Sequence, residues 1–132
     1  MAVNNLTVSM SDVHAATSQE YAAMPTSTGS STLSLTGASG AQYEFELYSW
    51  GTEFKAVCAV YSISADQRNG YHTMIYIGQT GDCSTRFDAH HKAGCFNRRG
   101  ATHIGILVEN SERSRLAIEA DLIAAYNPPC NG

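Results

Sequence analysis

The sequence lacks long hydrophobic runs. None of its 132 residues belongs to an apolar stretch of about 18 residues, so we expect no membrane-spanning helix and no membrane partner. The N-terminus has neither a basic region nor an apolar core, and it therefore does not predict a signal peptide. These absences favour a cytoplasmic protein. The length fits one domain with a substantial core.

The sequence also lacks closely spaced cysteine pairs. Its four cysteines are scattered, with no CxxC motif. In a chain of this length without a secretion signal, such spacing favours reduced thiols over disulfides. A zinc site is the alternative, although its spacing matches no common zinc template. Its ligands would be Cys83, His90, His91 and Cys95.

Basic residues are absent from the first 54 positions. This part has a charge of -5, whereas residues 55–132 carry all eight Lys and Arg against seven acids. The net charge of -4 argues weakly against a nucleic-acid binder, but a local basic face can still bind phosphate. The acidic first part favours a scaffold or a contact face for a protein partner.

The first part of the chain predicts an extension built around a β-hairpin. Residues 32–36 and 42–48 alternate polar and apolar side chains on either side of a glycine-containing turn. Residues 11–24 allow a short helix, and residues 25–31 are typical of a flexible link. We expect an N-terminal extension over residues 1–55, packed as one compact unit with the domain that follows.

Residues 56–132 predict the order β-β-α-β-α. Apolar runs at 56–63 and 73–77 lie on either side of an Asn-Gly turn and predict an antiparallel strand pair. The remaining elements are a helix from Asp82 or Ser84 to about Lys92, ended by Gly94, a strand at 102–108 and a helix at 111–126. The predicted fold class is α/β (α+β), with a small three-stranded antiparallel or mixed central sheet flanked by helices.

Several side chains are suited to chemistry, although each has a simpler structural explanation. Tyr61 and Tyr76 are ordinary strand aromatics, and tyrosine is a poor base unless a cation lowers its pKa. Arg86 and His90 lie four residues apart on one predicted helix, where charged side chains are usually just solvated. An arginine can equally hold two phosphate oxygens, and a histidine can pass a proton near neutral pH.

Glu119 lies at the edge of the apolar face of the last predicted helix. A surface ion pair with Arg115 is the simpler interpretation, and it would contribute only about 0.3–0.5 kcal/mol. The alternative is a ligand for Mg²⁺ or Mn²⁺, which keeps several waters and uses one or two carboxylates. Earlier in the chain, the basic residues Arg98 and Arg99 either contact a phosphate backbone or are simply solvated.

In combination, these residues resemble the GIY-YIG nuclease family. Ala59-Val60-Tyr61 stands where the family has GIY, and Tyr76-Ile77-Gly78 matches YIG itself. Arg86 follows the second tyrosine by ten residues, as the family arginine does, and His90 stands where many members carry His or Tyr. The resemblance covers residues 57–131.

The end of the chain extends the resemblance, and three features depart from it. The helix with Glu119 and the segment Pro128–Asn131 are similar to the family's glutamate helix and terminal Pro-x-x-Asn element. Ala59 replaces the first glycine of GIY, residues 66–72 lengthen the gap between the tyrosines, and Gln79 stands where some members have lysine.

The resemblance implies a metal-dependent endonuclease that hydrolyses phosphodiester bonds in DNA. Tyr61 would be the first choice as general base, helped by His90, and Asn131 would support the geometry around the glutamate helix. The implied catalytic residues are Tyr61, Tyr76, Arg86, His90, Glu119 and Asn131, with Glu119 as the ligand of Mg²⁺ or Mn²⁺. The predicted contacts to the DNA phosphate backbone are Gln79, Lys92, Arg98 and Arg99.

The sequence is also compatible with other functional classes of protein. The same fold can serve as a catalytically weak nucleic-acid-binding or protein-interaction module, with the acidic N-terminal part as its partner face. The retained Tyr-Tyr-Arg-His-Glu set argues against this, because a binding module needs no metal carboxylate. A zinc-bound adaptor has the weakest support from spacing. A monomer with one site would nick DNA, whereas cleavage of both strands would need two sites, as in a possible homodimer, or two passes.

Overall fold

The computed structural model describes residues 8–9, 31–67, 71–87 and 92–132. Its strands are β1 (Val8–Ser9), β2 (Thr32–Thr36), β3 (Gln42–Ser49), β4 (Ala59–Asp66), β5 (His72–Thr80) and β6 (His103–Val108). They form one antiparallel sheet in the order β1-β2-β3-β6-β4-β5. The five longer strands curl into a half-barrel.

Three short to medium helices follow β5 along the chain. They are α1 (Cys83–Arg86), α2 (Ala93–Arg98) and α3 (Glu112–Tyr126), and a 3₁₀ turn at Pro129–Asn131 comes after them. Asp82 caps α1, because its side chain accepts a hydrogen bond from the Ser84 amide. None of the helices in the described ranges is long and apolar enough to cross a membrane.

The predicted three-stranded central sheet is wrong. β3 pairs with β6, from Glu46 opposite Ile106 to Ser49 opposite His103, so the predicted hairpin belongs to the same sheet as the strands that follow it. Without β3, one edge of β6 would present unpaired backbone groups. An alternating strand reveals its two faces, but it does not reveal which edge it will join.

Several predicted elements are confirmed. β2 pairs with β3 and β4 pairs with β5, both antiparallel. The helix predicted at 111–126 is α3, with Ser111 as its cap. The helix from Asp82 to about Lys92 is wrong, because α1 ends at Arg86 and Gly94 lies within α2. The short helix predicted at 11–24 lies outside the described residues.

Burial explains why α1 and α2 are separate helices. Cys83 in α1 and Phe96 in α2 are both buried in the same cluster of core side chains. At 3.6 residues per turn, positions thirteen residues apart would point to nearly opposite sides of a single helix. In the structure two short helices each contribute one of these side chains to the same core cluster.

Each face of the sheet has its own core. The first contains the two motif tyrosines and is completed by α1 and α2; its members include Tyr48, Phe54, Tyr61, Tyr76, Phe96 and Ile104. The second is completed by α3, and its members include Leu33, Phe45, Val60, Met74, Ile77 and Leu122. The candidate tyrosines therefore lie on the α1–α2 face, whereas Glu119 belongs to the helix of the opposite face.

Cys95 and Cys130 form a disulfide, with their Cα atoms 5.9 Å apart. The prediction of reduced thiols is wrong for this pair, because pairing depends on distance in the fold and not on sequence spacing. The zinc alternative loses Cys95 as a ligand. Burial also raises the pKa of the Cys83 thiol to about 12, which disfavours the thiolate that a metal requires.

His72 is buried against the ring of the half-buried His103, and we expect this burial to make the stability of the protein depend on pH. The Ser64 hydroxyl and Nδ1 of His72 are hydrogen-bonded at 2.8 Å, and the His72 and His103 rings lie 4.9 Å apart. Burial, followed by the charge of His103, lowers the pKa of His72 to about 4, although Asp66 acts in the opposite direction. The fold therefore favours neutral His72.

We expect acid to destabilise the protein through His72. The folded-state pKa is below the ordinary value near 6.5, so this contribution to stability is complete above about pH 6.5 and decreases as pH falls towards 4. Urea unfolding at pH 7 and pH 4.5 should give a lower midpoint in acid. His72→Asn should reduce that difference. An unchanged difference in the variant would exclude His72 as its source.

Candidate active site

The two motif tyrosines lie side by side because β4 and β5 pair in register. Tyr61 is opposite Gly78, and the centroids of the Tyr61 and Tyr76 rings are 6.0 Å apart. A Cβ atom on Gly78 would lie 2.6 Å from the Tyr61 hydroxyl and 2.8 Å from Cε2 of Tyr76. The glycine of the Tyr76–Gly78 motif therefore provides the space that the Tyr61 side chain occupies.

We expect Gly78→Ala to displace Tyr61 and to destabilise the fold. Overpacking of this kind costs about 1–3 kcal/mol, and it would also move the hydroxyl out of its hydrogen-bonded position. Gly81→Ala is the matched control, because a Cβ there meets nothing within 4 Å. Urea unfolding of both variants measures the cost. Equal urea midpoints for Gly78→Ala and Gly81→Ala would show that the neighbours of Gly78 move aside for the added methyl group at no cost in stability.

Arg86 is held against the first tyrosine. Its Nε donates a hydrogen bond of 3.0 Å to the Tyr61 hydroxyl, and its guanidinium carbon lies 5.8 Å from the centroid of the Tyr61 ring. This bond fixes the guanidinium plane through Nε. The two terminal nitrogens of the guanidinium form the planar fork that suits phosphate oxygens.

The environment of Tyr61 favours its protonated form. Its side chain is fully buried, and burial raises its pKa well above the usual value, although the bond from Arg86 lowers it in part. The hydroxyls of Tyr61 and Tyr76 are also hydrogen-bonded to each other. Because arginine can only donate, the Tyr61 oxygen accepts from Arg86 and its own proton is directed towards Tyr76.

This arrangement does not favour Tyr61 as the general base, which was the first choice from the sequence. A tyrosine side chain acts as a base only as the phenolate, and burial opposes ionisation of this phenol. Tyr76 is the more accessible of the two, with 8% of its surface exposed against 0% for Tyr61. Tyr61 is placed instead to donate a hydrogen bond to the Tyr76 oxygen.

Glu119 brings a carboxylate near Arg86 from α3. Partial burial raises the pKa of this carboxyl group, and the positive charge of Arg86 acts in the opposite direction. In the described ranges its carboxylate has no hydrogen bond and no ion pair. The simpler interpretation, a surface pair with Arg115, is wrong because Arg115 is buried and bonded to other groups.

Glu119 offers a single carboxylate as a possible metal ligand. Residues 8–9, 31–67, 71–87 and 92–132 contain no group of three or more His, Cys, Asp or Glu that could hold a metal. A lone carboxylate is the type of protein ligand that Mg²⁺ combines with several waters, since Mg²⁺ commonly uses one or two carboxylates.

Arg115 is a buried charge that our sequence analysis interpreted as exposed. Its Nε donates to Oε1 of Gln79 at 2.8 Å, and Nη1 donates to the backbone oxygens of Glu109 and Asn110 at 3.0 and 3.1 Å. Arg115 and buried Leu122 are seven residues apart and so share a helix face. This seven-residue spacing is the sequence feature that could have predicted the burial of Arg115. The side-chain oxygen of Gln79, a predicted DNA contact, is already bonded to Arg115.

Asn131 supports the strand that carries Tyr76. Its Oδ1 accepts a hydrogen bond from the Ile77 amide, and its Nδ2 donates to the Ile77 oxygen, both at 2.9 Å. The side chain thus pairs with β5 as a neighbouring strand would. The structure places this support on β5 and not on the glutamate helix, and it makes Asn131 a positioning residue for the Tyr76–Gly78 segment.

Three of the four predicted DNA contacts line one groove. Lys92, Arg98 and Arg99 surround a cavity of about 460 Å³, which is completed by Gly94, Cys95, Pro129, Cys130 and Gly132. Arg98 and Arg99 are exposed, and Lys92 is half-buried. The fourth, Gln79, does not line this groove, and His90 lies outside the described residues.

The comparisons with known proteins give no independent assignment. No family model, no curated protein and no solved structure matches the chain. The case for a functional site therefore depends on the residues themselves and on the contacts between them.

Proposed function

We propose that this protein is a metal-dependent endonuclease of the GIY-YIG type that hydrolyses phosphodiester bonds in DNA. One observation carries the proposal: Tyr61, Tyr76 and Arg86 come from three different elements and are joined by hydrogen bonds, and the charge of Arg86 reaches the Glu119 carboxyl group on a fourth element. Ordinary core packing does not require such a set.

Proton transfer is assigned to the tyrosine pair. Water attacks phosphorus in line while the bond between phosphorus and the leaving oxygen breaks, and the proton of the water goes to the phenolate oxygen of Tyr76. The Tyr61 hydroxyl donates a hydrogen bond to the Tyr76 oxygen and so orients it towards the attacking water. Arg86 strengthens that donor by its own bond to the Tyr61 oxygen. His90 as a proton relay remains a prediction from the sequence.

Arg86 is assigned to the phosphoryl group. Its terminal nitrogens can donate to the nonbridging oxygens, where negative charge accumulates as water attacks. Glu119 would hold the divalent metal. When bound, Mg²⁺ or Mn²⁺ neutralises charge on the leaving oxygen. Asn131 and Gly78 keep the tyrosines in place and do not touch the reacting atoms.

The basic groove is assigned to the DNA backbone. Lys92, Arg98 and Arg99 concentrate positive charge in a chain whose net charge is -4, and such a local patch can bind phosphate through charge and counterion release. Cys130, which lines the groove, is adjacent in sequence to Asn131, and Asn131 is bonded to β5. The 3₁₀ turn therefore connects the groove to the strand of Tyr76.

The binding partners of the protein and its cellular location remain predictions. A homodimer, or a protein partner on the acidic N-terminal part, would change how many strands are cut but not the chemistry at one site. A cytoplasmic location was expected from the sequence. The Cys95–Cys130 disulfide argues against a cytoplasmic location, because disulfides persist mainly in oxidising compartments.

Arg86→Lys tests the proposed function at the phosphate. A lysine retains the charge but loses both the planar fork and the Nε bond to Tyr61, so we expect cleavage of a labelled DNA in Mg²⁺ to fall by about 10²–10³-fold. Arg113→Lys, at an exposed position of α3, is the matched control. Near wild-type cleavage by Arg86→Lys would mean that Arg86 only packs on Tyr61.

A further inference from the structure

A second pocket adjoins the tyrosine–arginine cluster, and the mechanism above does not use it. Its volume is about 250 Å³. Trp50, Phe87 and Ile104 provide aromatic and apolar walls, and the segment 51–53 from the β3–β4 connection completes the lining. We call this cavity the aromatic pocket.

The aromatic pocket shares a wall with the candidate active site. Phe87 directly follows Arg86, and its ring meets the Tyr61 ring edge-on with centroids 5.0 Å apart. Phe87 also contacts Phe54 at 5.6 Å, which anchors the wall in the core. A phosphate held by Arg86 would therefore place the attached nucleotide beside this pocket.

Trp50 is fixed in place at the opposite wall. Its backbone amide donates to the Thr102 oxygen at 2.9 Å, and its ring stands perpendicular to that of Phe96, with centroids 5.9 Å apart. The indole is only partly buried. A flat aromatic ligand can therefore use a preorganised surface, since aromatic side chains are the usual stacking platforms for unpaired bases.

Glu53 determines which part of a nucleotide the pocket can accept. Its side chain is exposed and lines the cavity. A carboxylate repels phosphate, so the charge of the pocket is opposite to that of the groove of Lys92, Arg98 and Arg99. A carboxylate accepts hydrogen bonds from exocyclic amino groups such as N4 of cytosine. Thymine has a single donor on the corresponding edge, N3–H, which lies between two carbonyl oxygens that repel a carboxylate, and thymine would therefore be disfavoured.

We propose that the aromatic pocket binds one unpaired nucleobase of the substrate next to the phosphate at Arg86, and that it prefers an amino-bearing base such as cytosine to thymine. A base can enter such a pocket only after it leaves the duplex stack. The substrate class is therefore single-stranded DNA or DNA with an unpaired nucleotide. This inference rests on the proposed nuclease function and narrows it.

Trp50 allows the pocket to be tested directly, because it is the only tryptophan in the chain. The protein is titrated in EDTA, which prevents metal-dependent cleavage, with oligo-dC, oligo-dT and a fully paired duplex of equal length. We expect saturable quenching of tryptophan fluorescence by oligo-dC, roughly tenfold weaker binding of oligo-dT, and little quenching by the duplex.

Two variants separate the contribution of Glu53 from general electrostatics. Glu53→Ala should remove most of the difference between oligo-dC and oligo-dT, because it removes the acceptor for the amino group. Glu112→Ala deletes an exposed acid on α3 and should leave the difference unchanged. Equal affinities for both oligonucleotides in the wild type would overturn the base preference, and equal quenching by the duplex would overturn the requirement for an unpaired base.

The outcomes for the pocket and for the nuclease are distinguishable. The protein could cleave DNA in Mg²⁺ and yet show unchanged fluorescence with every oligonucleotide. This result would contradict the proposal that the aromatic pocket binds a base, and it would not affect the proposed nuclease function. Saturable, oligo-dC-selective quenching in a protein that never cleaves DNA would support the pocket and overturn the nuclease.

Discussion

Replacing Glu119 with glutamine should abolish cleavage while leaving the fold intact. Glutamine preserves the volume of the side chain but removes the negative charge that a hard divalent cation requires. Lewis-acid stabilisation of the transition state is worth several kcal/mol, so the loss should be at least about 10²-fold. The stability of the variant should differ little from that of the wild type, because the Glu119 carboxylate makes no hydrogen bond or ion pair within the described residues.

Glu112→Gln is the matched control for this experiment. It removes an exposed carboxylate from the same helix, so both variants change the net charge equally. Single-turnover cleavage in saturating Mg²⁺ should fall only for Glu119→Gln, and the metal concentration that gives half-maximal rate should rise for that variant alone. Full activity of Glu119→Gln would remove Glu119 from the metal site.

Tyr76→Phe should be the most damaging change among the tyrosines. It removes the oxygen that accepts the proton of water while keeping the ring in its packing, and loss of a general base costs about 10²–10⁴-fold. Tyr61→Phe should cost less, because it removes a supporting hydrogen bond. The variant also leaves Nε of Arg86 without its acceptor, so some loss of rate is expected.

The pH profile separates the roles of the two tyrosines. A tyrosine acts as a base only as the phenolate, so the single-turnover rate of the wild type should rise with pH, and Tyr76→Phe should eliminate this rise. Tyr61→Phe should keep it. Tyr71→Phe, at a position where 39% of the side chain is exposed, controls for removal of a phenol elsewhere. If Tyr61→Phe is the variant that loses the rise, the assignment is reversed.

Local patterns in the sequence were sufficient to predict much of the site. The apolar runs around the Asn-Gly turn predicted that β4 and β5 would pair, and this pairing places Tyr61 beside Tyr76. Ser111 and the periodicity that follows it predicted α3 and so the helix position of Glu119. Such features depend on residues close in sequence, where turn chemistry and helix capping act directly.

Other features of the site depend on contacts between distant residues. The pairing of β3 with β6 requires a choice between sheet edges. The disulfide joins Cys95 to Cys130, which no spacing rule would pair. The protonation of Tyr61 follows from burial, and a strand pattern indicates which face is buried but not how deep one hydroxyl lies. Tertiary packing determines all three.

Incubation of the purified protein with supercoiled plasmid, in Mg²⁺ and in EDTA, tests the central claim most directly. The account predicts conversion to nicked or linear DNA in Mg²⁺, none in EDTA, and none in either buffer for Glu119→Gln. Conversion that persists in EDTA, or an intact plasmid in Mg²⁺ and Mn²⁺ with a correctly folded wild-type protein, would contradict it.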